Sequence, residues 1–182
     1  MNRAQEILEY MNYVRGEKVL AHVGGPSGAG KTELVIALTP KVKNIELRDL
    51  DEFDDYAVDA MGLNGVSKND YTNQMLLQHH RKKQHIIDNF IQKSSKPIIF
   101  FGHTEEAGNE IQLPTSVRIL LSTNPRTASI RRAKNRELSP QELRDLIRTG
   151  REDIKYLRGK GYIPMTARQI YNMILFWSRD GF

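Results

Sequence analysis

The chain has 182 residues, no cysteine, an apolar fraction of 39% and a formal net charge of +5 at pH 7. This length and composition suit one folded domain with a hydrophobic core, and the lack of cysteine excludes disulfides and thiolate-bound metals. No stretch approaches the roughly 20 apolar residues of a membrane span or resembles a signal peptide, so we expect a cytoplasmic protein that makes no membrane contact.

The predicted elements alternate between helices and strands along the chain. An N-terminal helix is indicated by the spacing of Ile7, Leu8, Met11 and Val14, and it would either cap the domain or form a dimer contact. Beyond it, apolar runs predict strands, and amphipathic runs predict helices. The strands are expected at 18–24, 43–49, 96–102, 116–123 and 161–165, and the helices at 31–41, 70–93, 125–138, 139–159 and 166–177.

This alternation predicts an α/β protein with a three-layer architecture, in which helices cover both faces of a parallel sheet of about five strands. We find no repeat and no domain-scale linker, so residues 1–182 are expected to form a single domain. Ser139, Pro140 and Glu142 have the pattern of a capped helix start, and Thr166 is a candidate N-cap. The long helix at 70–93 is expected to have one buried face, made of Leu76, Leu77, His80, Ile87, Phe90 and Ile91.

Residues 25–32 (GPSGAGKT) match the phosphate-loop pattern G-x-x-x-x-G-K-[ST] at every position, between a predicted strand and a predicted helix. Glycines allow successive backbone N–H groups to point inward, and the start of the following helix favours an anion. We therefore predict ATP and Mg²⁺ at this loop, with Lys31 at the outer phosphates and Thr32 as a magnesium ligand. The predicted nucleotide-binding residues are Gly25, Ser27, Gly28, Ala29, Gly30, Lys31 and Thr32.

Acidic residues follow the second predicted strand, within a stretch (44–59) that has seven acids and one base. In an open parallel sheet, ligands bind beyond the carboxyl ends of the strands, so Asp49 and Asp51 would lie near the transferred phosphate. One carboxylate would hold Mg²⁺, and the other would orient and deprotonate an acceptor hydroxyl. The third predicted strand ends in Gly102 without a carboxylate, and the guanine-reading N-K-x-D pattern is absent, which disfavours a GTPase or a motor ATPase.

The phosphate loop, the pair Asp49-Leu50-Asp51 and Gly102 together resemble the small P-loop kinases, a group of shikimate-, gluconate-, nucleoside- and nucleotide-kinase-like enzymes. In several of these enzymes a D-x-D pair ends the second strand and a glycine ends the later one. The resemblance implies a P-loop kinase fold with an acceptor-binding helical insertion at about 56–93 and a small lid at about 124–139. It also implies that Asp49 holds Mg²⁺ and Asp51 meets the acceptor, although the two roles could be exchanged.

Residues 118–160 are strongly basic, with twelve lysines and arginines against five acids. By the same resemblance, arginines of the lid close over the phosphates, and Arg131, Arg132 and Arg136 are the candidates. Guanidinium groups suit this role because they bind phosphate oxygens in a bidentate fork and stay charged.

We therefore predict an ATP-dependent phosphotransferase, a kinase that moves the γ-phosphate to a small hydroxyl- or phosphate-bearing acceptor such as a nucleoside, nucleotide or metabolite. Its predicted catalytic residues are Lys31, Asp49, Asp51, Arg131, Arg132 and Arg136. One alternative is a polynucleotide-end kinase, although a lid alone would account for the basic charge; another is a non-catalytic, regulatory ATP-binding module. The spacing of His79, His80 and His85 does not suit a zinc site.

Overall fold

The centre of the protein is a five-stranded sheet in which every pair of neighbouring strands is parallel. The structure, a computed structural model, describes residues 17–106, 109–133 and 138–179, so the predicted N-terminal helix lies outside the described residues. The strands in chain order are β1 (Val19–Gly24), β2 (Glu46–Asp49), β3 (Ile98–Phe101), β4 (Glu105–Glu106), β5 (Asn109–Glu110), β6 (Arg118–Leu121) and β7 (Ile163–Met165). The large sheet has the order β2-β3-β1-β6-β7, and β4 and β5 form a separate antiparallel hairpin.

Helices cover both faces of this sheet. They are α1 (Lys31–Leu38), α2 (Leu50–Met61), α3 (Asn73–Lys93), α4 (Pro125–Ala133), α5 (Pro140–Gly159) and α6 (Ala167–Arg179), and a 3₁₀ turn spans Lys68–Asp70. The predicted α/β class, with about five parallel strands and helices on both faces, is therefore confirmed. No helix in the described part of the chain is both long and apolar enough to cross a membrane.

In the described part of the chain, the hydrophobic core consists of three clusters that follow the alternation of side chains along the strands. On one face, α1 and α6 pack against residues such as Val23, Phe101 and Ile119. On the other face, α2 and α3 pack against Phe100, while α5 packs against Leu120. Strands β1 and β3 are buried along their whole length, as expected for strands covered on both sides.

Two predicted helix starts are confirmed in detail. At α5, the Glu142 backbone N–H donates to Ser139 Oγ at 3.3 Å, and the Ser139 N–H donates to Glu142 Oε2 at 2.7 Å, which completes a capping box. At α6, the Gln169 N–H donates to Thr166 Oγ1 at 3.3 Å. These local patterns place the start of each helix correctly because they involve residues only three positions apart.

The predicted buried face of the helix at 70–93 is partly wrong. Ile87 and Ile91 are buried in α3, but Leu77 is 38% exposed, and His79 and Lys83 are buried instead. The reason is an ion pair with α2: Lys83 Nζ lies 2.7 Å from Asp54 Oδ1, and His79 Nε2 lies 4.0 Å from the same atom. Helix α2 and the β4–β5 hairpin were not predicted.

Candidate active site

The glycine-rich loop lies at the carboxyl end of β1, the central strand of the sheet, directly before α1. The strands flanking β1 are β3 and β6. The chain runs from β1 toward one edge of the sheet, to β2, and from β3 toward the other edge, to β6. Parallel sheets bind ligands at such a point, beyond the carboxyl ends of the strands. Gly28 and Gly30 have positive φ angles of 80° and 101°, and the Ala29 N–H donates to the Pro26 carbonyl at 3.0 Å. The loop therefore turns sharply at positions where a side chain would strain the backbone.

Lys31, the first residue of α1, folds back over this loop. Its Nζ donates to the Gly25 carbonyl at 2.7 Å and to the Pro26 carbonyl at 3.2 Å. Burial lowers the pKa of Lys31 from its usual value, whereas the nearby carboxylates of Asp49 and Asp51 act to raise it. The structure thus brings Lys31, which is predicted to bind the outer phosphates, close to the two predicted acids.

Asp49 ends β2 and is the N-cap of α2, where its Oδ1 accepts the backbone N–H of Asp51 at 3.1 Å. Burial raises the pKa of Asp49 above its usual value; the charge of Lys31 and this hydrogen bond oppose the rise. Asp51 lies in the first turn of α2 and is exposed. Asp49 is therefore held by a backbone hydrogen bond near the lysine, and Asp51 is exposed at the start of α2.

Gly102 explains why the end of β3 has no carboxylate. Its φ is +130°, and a Cβ atom there would lie 3.0 Å from Leu50 Cβ and 3.3 Å from Asp49 Oδ1. Strands β2 and β3 are neighbours, with Asp49 opposite Phe101. A side chain at position 102 would crowd the start of α2 and the Asp49 carboxylate, which disfavours a second carboxylate at the end of β3.

Of the three predicted lid arginines, the structure locates the side chain of Arg131. It is exposed on α4, and its Nη1 lies 3.8 Å from the point where a Cβ atom on Gly30 would be. The Arg132 backbone lies in the same helix, and Arg136 lies outside the described residues. One guanidinium group is therefore beside the phosphate loop.

Helix α5 also approaches the loop, a contact that is absent from the sequence-based predictions. Gly150, in the middle of α5, is buried, and a Cβ atom on it would lie 3.5 Å from Pro26 Cβ and 3.6 Å from Pro125 Cβ. One turn later, Asp153 is near enough to Lys31 to raise the pKa of the lysine. A glycine within a strongly helical pattern is a signal of close packing, and it could have identified this contact.

A second feature missed from the sequence is the buried His22 on β1. Its Nδ1 lies 2.6 Å from the Tyr162 hydroxyl, and its Nε2 lies 3.1 Å from the Gly102 carbonyl. Since a carbonyl only accepts, Nε2 carries the hydrogen and Tyr162 donates to Nδ1. Burial lowers the pKa of His22 to about 3, so the ring is neutral at neutral pH. This histidine therefore links β1 to the glycine that lies against Asp49.

The remaining acids and histidines do not form a metal centre of their own. Within the described ranges, no group of three or more His, Asp or Glu side chains is arranged to hold a metal ion. A magnesium ion bound mainly through nucleotide phosphates and waters needs fewer protein ligands, and Thr32, exposed at the start of α1, and Asp49 fit that mode.

Comparisons with known proteins assign no family to this chain. No model of a known protein family matches the chain, and no curated protein sequence is significantly similar to it.

Proposed function

We propose that this protein is an ATP-dependent kinase that transfers the γ-phosphate to a small acceptor bearing a hydroxyl or phosphate group. The observation that carries the proposal is the convergence, around one glycine-rich loop, of Lys31, Asp49 and Arg131. A loop that only binds nucleotide needs the lysine and the backbone N–H groups. The two acids and the guanidinium are what transfer to an acceptor requires in addition.

In the proposed reaction, the acceptor oxygen attacks the γ-phosphorus of ATP. A new P–O bond forms, the bond between the γ-phosphorus and the β–γ bridging oxygen breaks, and ADP leaves with that electron pair. Asp51 accepts the proton of the acceptor hydroxyl, while Lys31 and the loop N–H groups stabilise the phosphate charge. Arg131 would bind the γ-phosphate oxygens and exclude water, which competes with the acceptor.

Thr32 and Asp49 would hold Mg²⁺, which neutralises phosphate charge and orients the β- and γ-phosphates when it is bound. The half-buried position of Asp49 at the end of β2 suits this role because its Oδ1 already accepts the Asp51 N–H. Arg132 and Arg136 remain proposed lid residues, and the segments 56–93 and 124–139 remain the proposed acceptor-binding insertion and lid.

The test is acceptor-dependent ADP release across a panel of nucleosides, nucleotides and small hydroxylated metabolites. We expect Lys31→Ala and Asp51→Asn each to lower kcat/KM by about a hundredfold or more. Matched controls are Lys43→Ala, an exposed lysine outside the site, and Asp55→Asn, an exposed acid one turn beyond Asp51 on α2. Both controls should keep wild-type turnover.

Two results would overturn the proposal in different ways. ATP binding without ADP release for any acceptor would assign the chain to the regulatory ATP-binding class. Turnover that survives both Lys31→Ala and Asp51→Asn would place the reaction at another site.

A further inference from the structure

Helix α5 carries a row of exposed cations that the proposed kinase reaction does not use. Its members are Arg144, Arg148, Arg151, Lys155 and Arg158, which we call the α5 stripe. At 3.6 residues per turn, their spacing of four, three, four and three places them within an arc of about 80° on one side of the helix. The row is about 21 Å long at 1.5 Å per residue.

The stripe is separate from the face of α5 that packs on the protein. Gly150 and Leu157 are buried toward the phosphate loop and the sheet, whereas all five stripe residues are exposed. The lid therefore does not account for this charge: the basic region at 118–160 divides into a part beside the loop, at Arg131, and a part along the outer side of α5.

The stripe cations form few ion pairs and hydrogen bonds with other residues of the described chain. Arg148 forms an exposed ion pair with Asp145 at 3.2 Å, a kind of pair that is weak in water, and Arg144 donates to Gln141 Oε1 at 2.9 and 3.2 Å. Among the described residues, Arg151, Lys155 and Arg158 form no ion pair. Of the other acids of α5, Glu142 forms the capping box and Asp153 lies toward Lys31. Glu152 is exposed beside the stripe and forms no ion pair within the described part of the chain.

A regular row of exposed cations is complementary to a nucleic-acid backbone. The exposed large apolar residues of the described chain all lie outside α5, so the stripe has nothing to insert into a lipid surface. It also presents no aromatic side chain on which unpaired bases would stack. Phosphate contact is what remains, and a duplex offers the higher density of phosphate charge.

We propose that the α5 stripe binds the phosphate backbone of a nucleic-acid duplex, independently of base sequence. This inference goes beyond the proposed kinase activity and does not depend on it. Binding would be electrostatic, with the arginines contacting phosphates as positioning groups.

The test measures binding of a fluorescent 20-base-pair DNA duplex over a series of salt concentrations, without ATP. Arg151→Gln/Lys155→Gln/Arg158→Gln removes three stripe charges, and Lys43→Gln/Lys93→Gln/Arg168→Gln removes three exposed charges from other elements. We expect the stripe triple variant to bind at least tenfold more weakly. Its log affinity should also fall less steeply with log salt, with the magnitude of the slope smaller by about 2 to 3. The control triple should remain close to wild type.

Three results would overturn the inference. Equal weakening by both triples would mean that only net charge matters. Binding of the stripe to vesicles with anionic lipid, but not to the duplex, would make it a membrane contact. Lys31→Ala should bind the duplex as wild type does; if it loses binding as the stripe triple does, the nucleic-acid site is the phosphate loop. Both triple variants are first compared with wild type by thermal unfolding, so that a folding defect is not taken for lost binding.

Discussion

At the residue scale, Gly102 is the position where the backbone and the proposed chemistry constrain each other most closely. Its φ of +130° is one that residues other than glycine rarely adopt, and a Cβ atom at this position would lie only 3.3 Å from Asp49 Oδ1. The glycine therefore does two things: it lets β3 end in its observed conformation, and it leaves space for the carboxylate of the neighbouring strand.

Gly102→Ala should destabilise the protein and disturb Asp49. The matched control is Gly62→Ala, because Gly62 also has a positive φ (67°) but has nothing within 4 Å of an added Cβ. We expect Gly62→Ala to cost about 1 kcal/mol in the free energy of unfolding, and Gly102→Ala about 3 kcal/mol, because steric overlap adds to the backbone strain. Urea unfolding of both variants checks this. Equal costs would show that Asp49 and Leu50 give way without penalty.

At the element scale, α2 and α3 are joined by polar contacts within an otherwise apolar interface. Lys83 is almost fully buried in α3 and lies 2.7 Å from Asp54 of α2, and Lys68 reaches the same carboxylate at 3.5 Å. Asp54 follows Asp51 by one helical turn, so the pair fixes the helix that carries the proposed catalytic acid. The contact of Asp54 with Lys83 gives this carboxylate a structural role.

Asp54→Asn should destabilise the protein strongly because it leaves the buried Lys83 ammonium without an opposite charge. A cost of about 3 to 5 kcal/mol in the free energy of unfolding is expected for breaking such a pair. Asp55→Asn, an exposed neighbour on the same helix, should stay within about 0.5 kcal/mol of wild type. Replacing both partners, as Asp54→Leu/Lys83→Met, should cost less than Asp54→Asn alone. A cost for Asp54→Asn below about 1 kcal/mol would argue against the pair as the link between α2 and α3.

At the scale of the whole molecule, His22 stands where two core clusters meet on one face of the sheet. One cluster is held by α2 and α3 and the other by α5, and the ring connects them through Gly102 and Tyr162. Its pKa is lowered to about 3 because burial disfavours the charged ring, whereas an unfolded histidine titrates near 6.5. The neutral ring thus joins Tyr162, in the cluster held by α5, to the Gly102 carbonyl at the end of β3.

This burial makes global stability sensitive to acid, with a definite sign. Below pH 6.5 the His22 ring becomes protonated in the unfolded chain, whereas in the folded chain it stays neutral down to about pH 3. Stability from this group is therefore complete above pH 6.5 and is lost as the pH falls toward 3, by up to about 1.4 kcal/mol per pH unit. Urea unfolding at pH 7.5, 6 and 5 should give a shallower pH dependence for His22→Asn than for wild type. Parallel curves for the two proteins would contradict the assignment.

Several features could be predicted from local patterns. The spacing around Lys31 and Thr32 predicts a glycine turn between a strand and a helix, which the structure has. Apolar runs and helical periods order the elements, and three-residue motifs mark the starts of α5 and α6. These signals are reliable because their causes act between residues that are near in the chain: capping bonds, turn geometry and the period of side-chain exposure.

By itself, then, the sequence determined the α/β class, the glycine-rich loop and the residue types available for its chemistry. The tertiary structure alone decided which of these residues meet. Gly102 lies against Asp49 only because β2 and β3 are neighbours, and Gly150 touches Pro26 only because α5 packs there. The tertiary structure also buries Lys83 and His79, whereas helical periodicity predicts a buried Leu77. Such outcomes depend on contacts between residues far apart in the chain, and the energy of a buried charge depends on the partner that the fold brings to it.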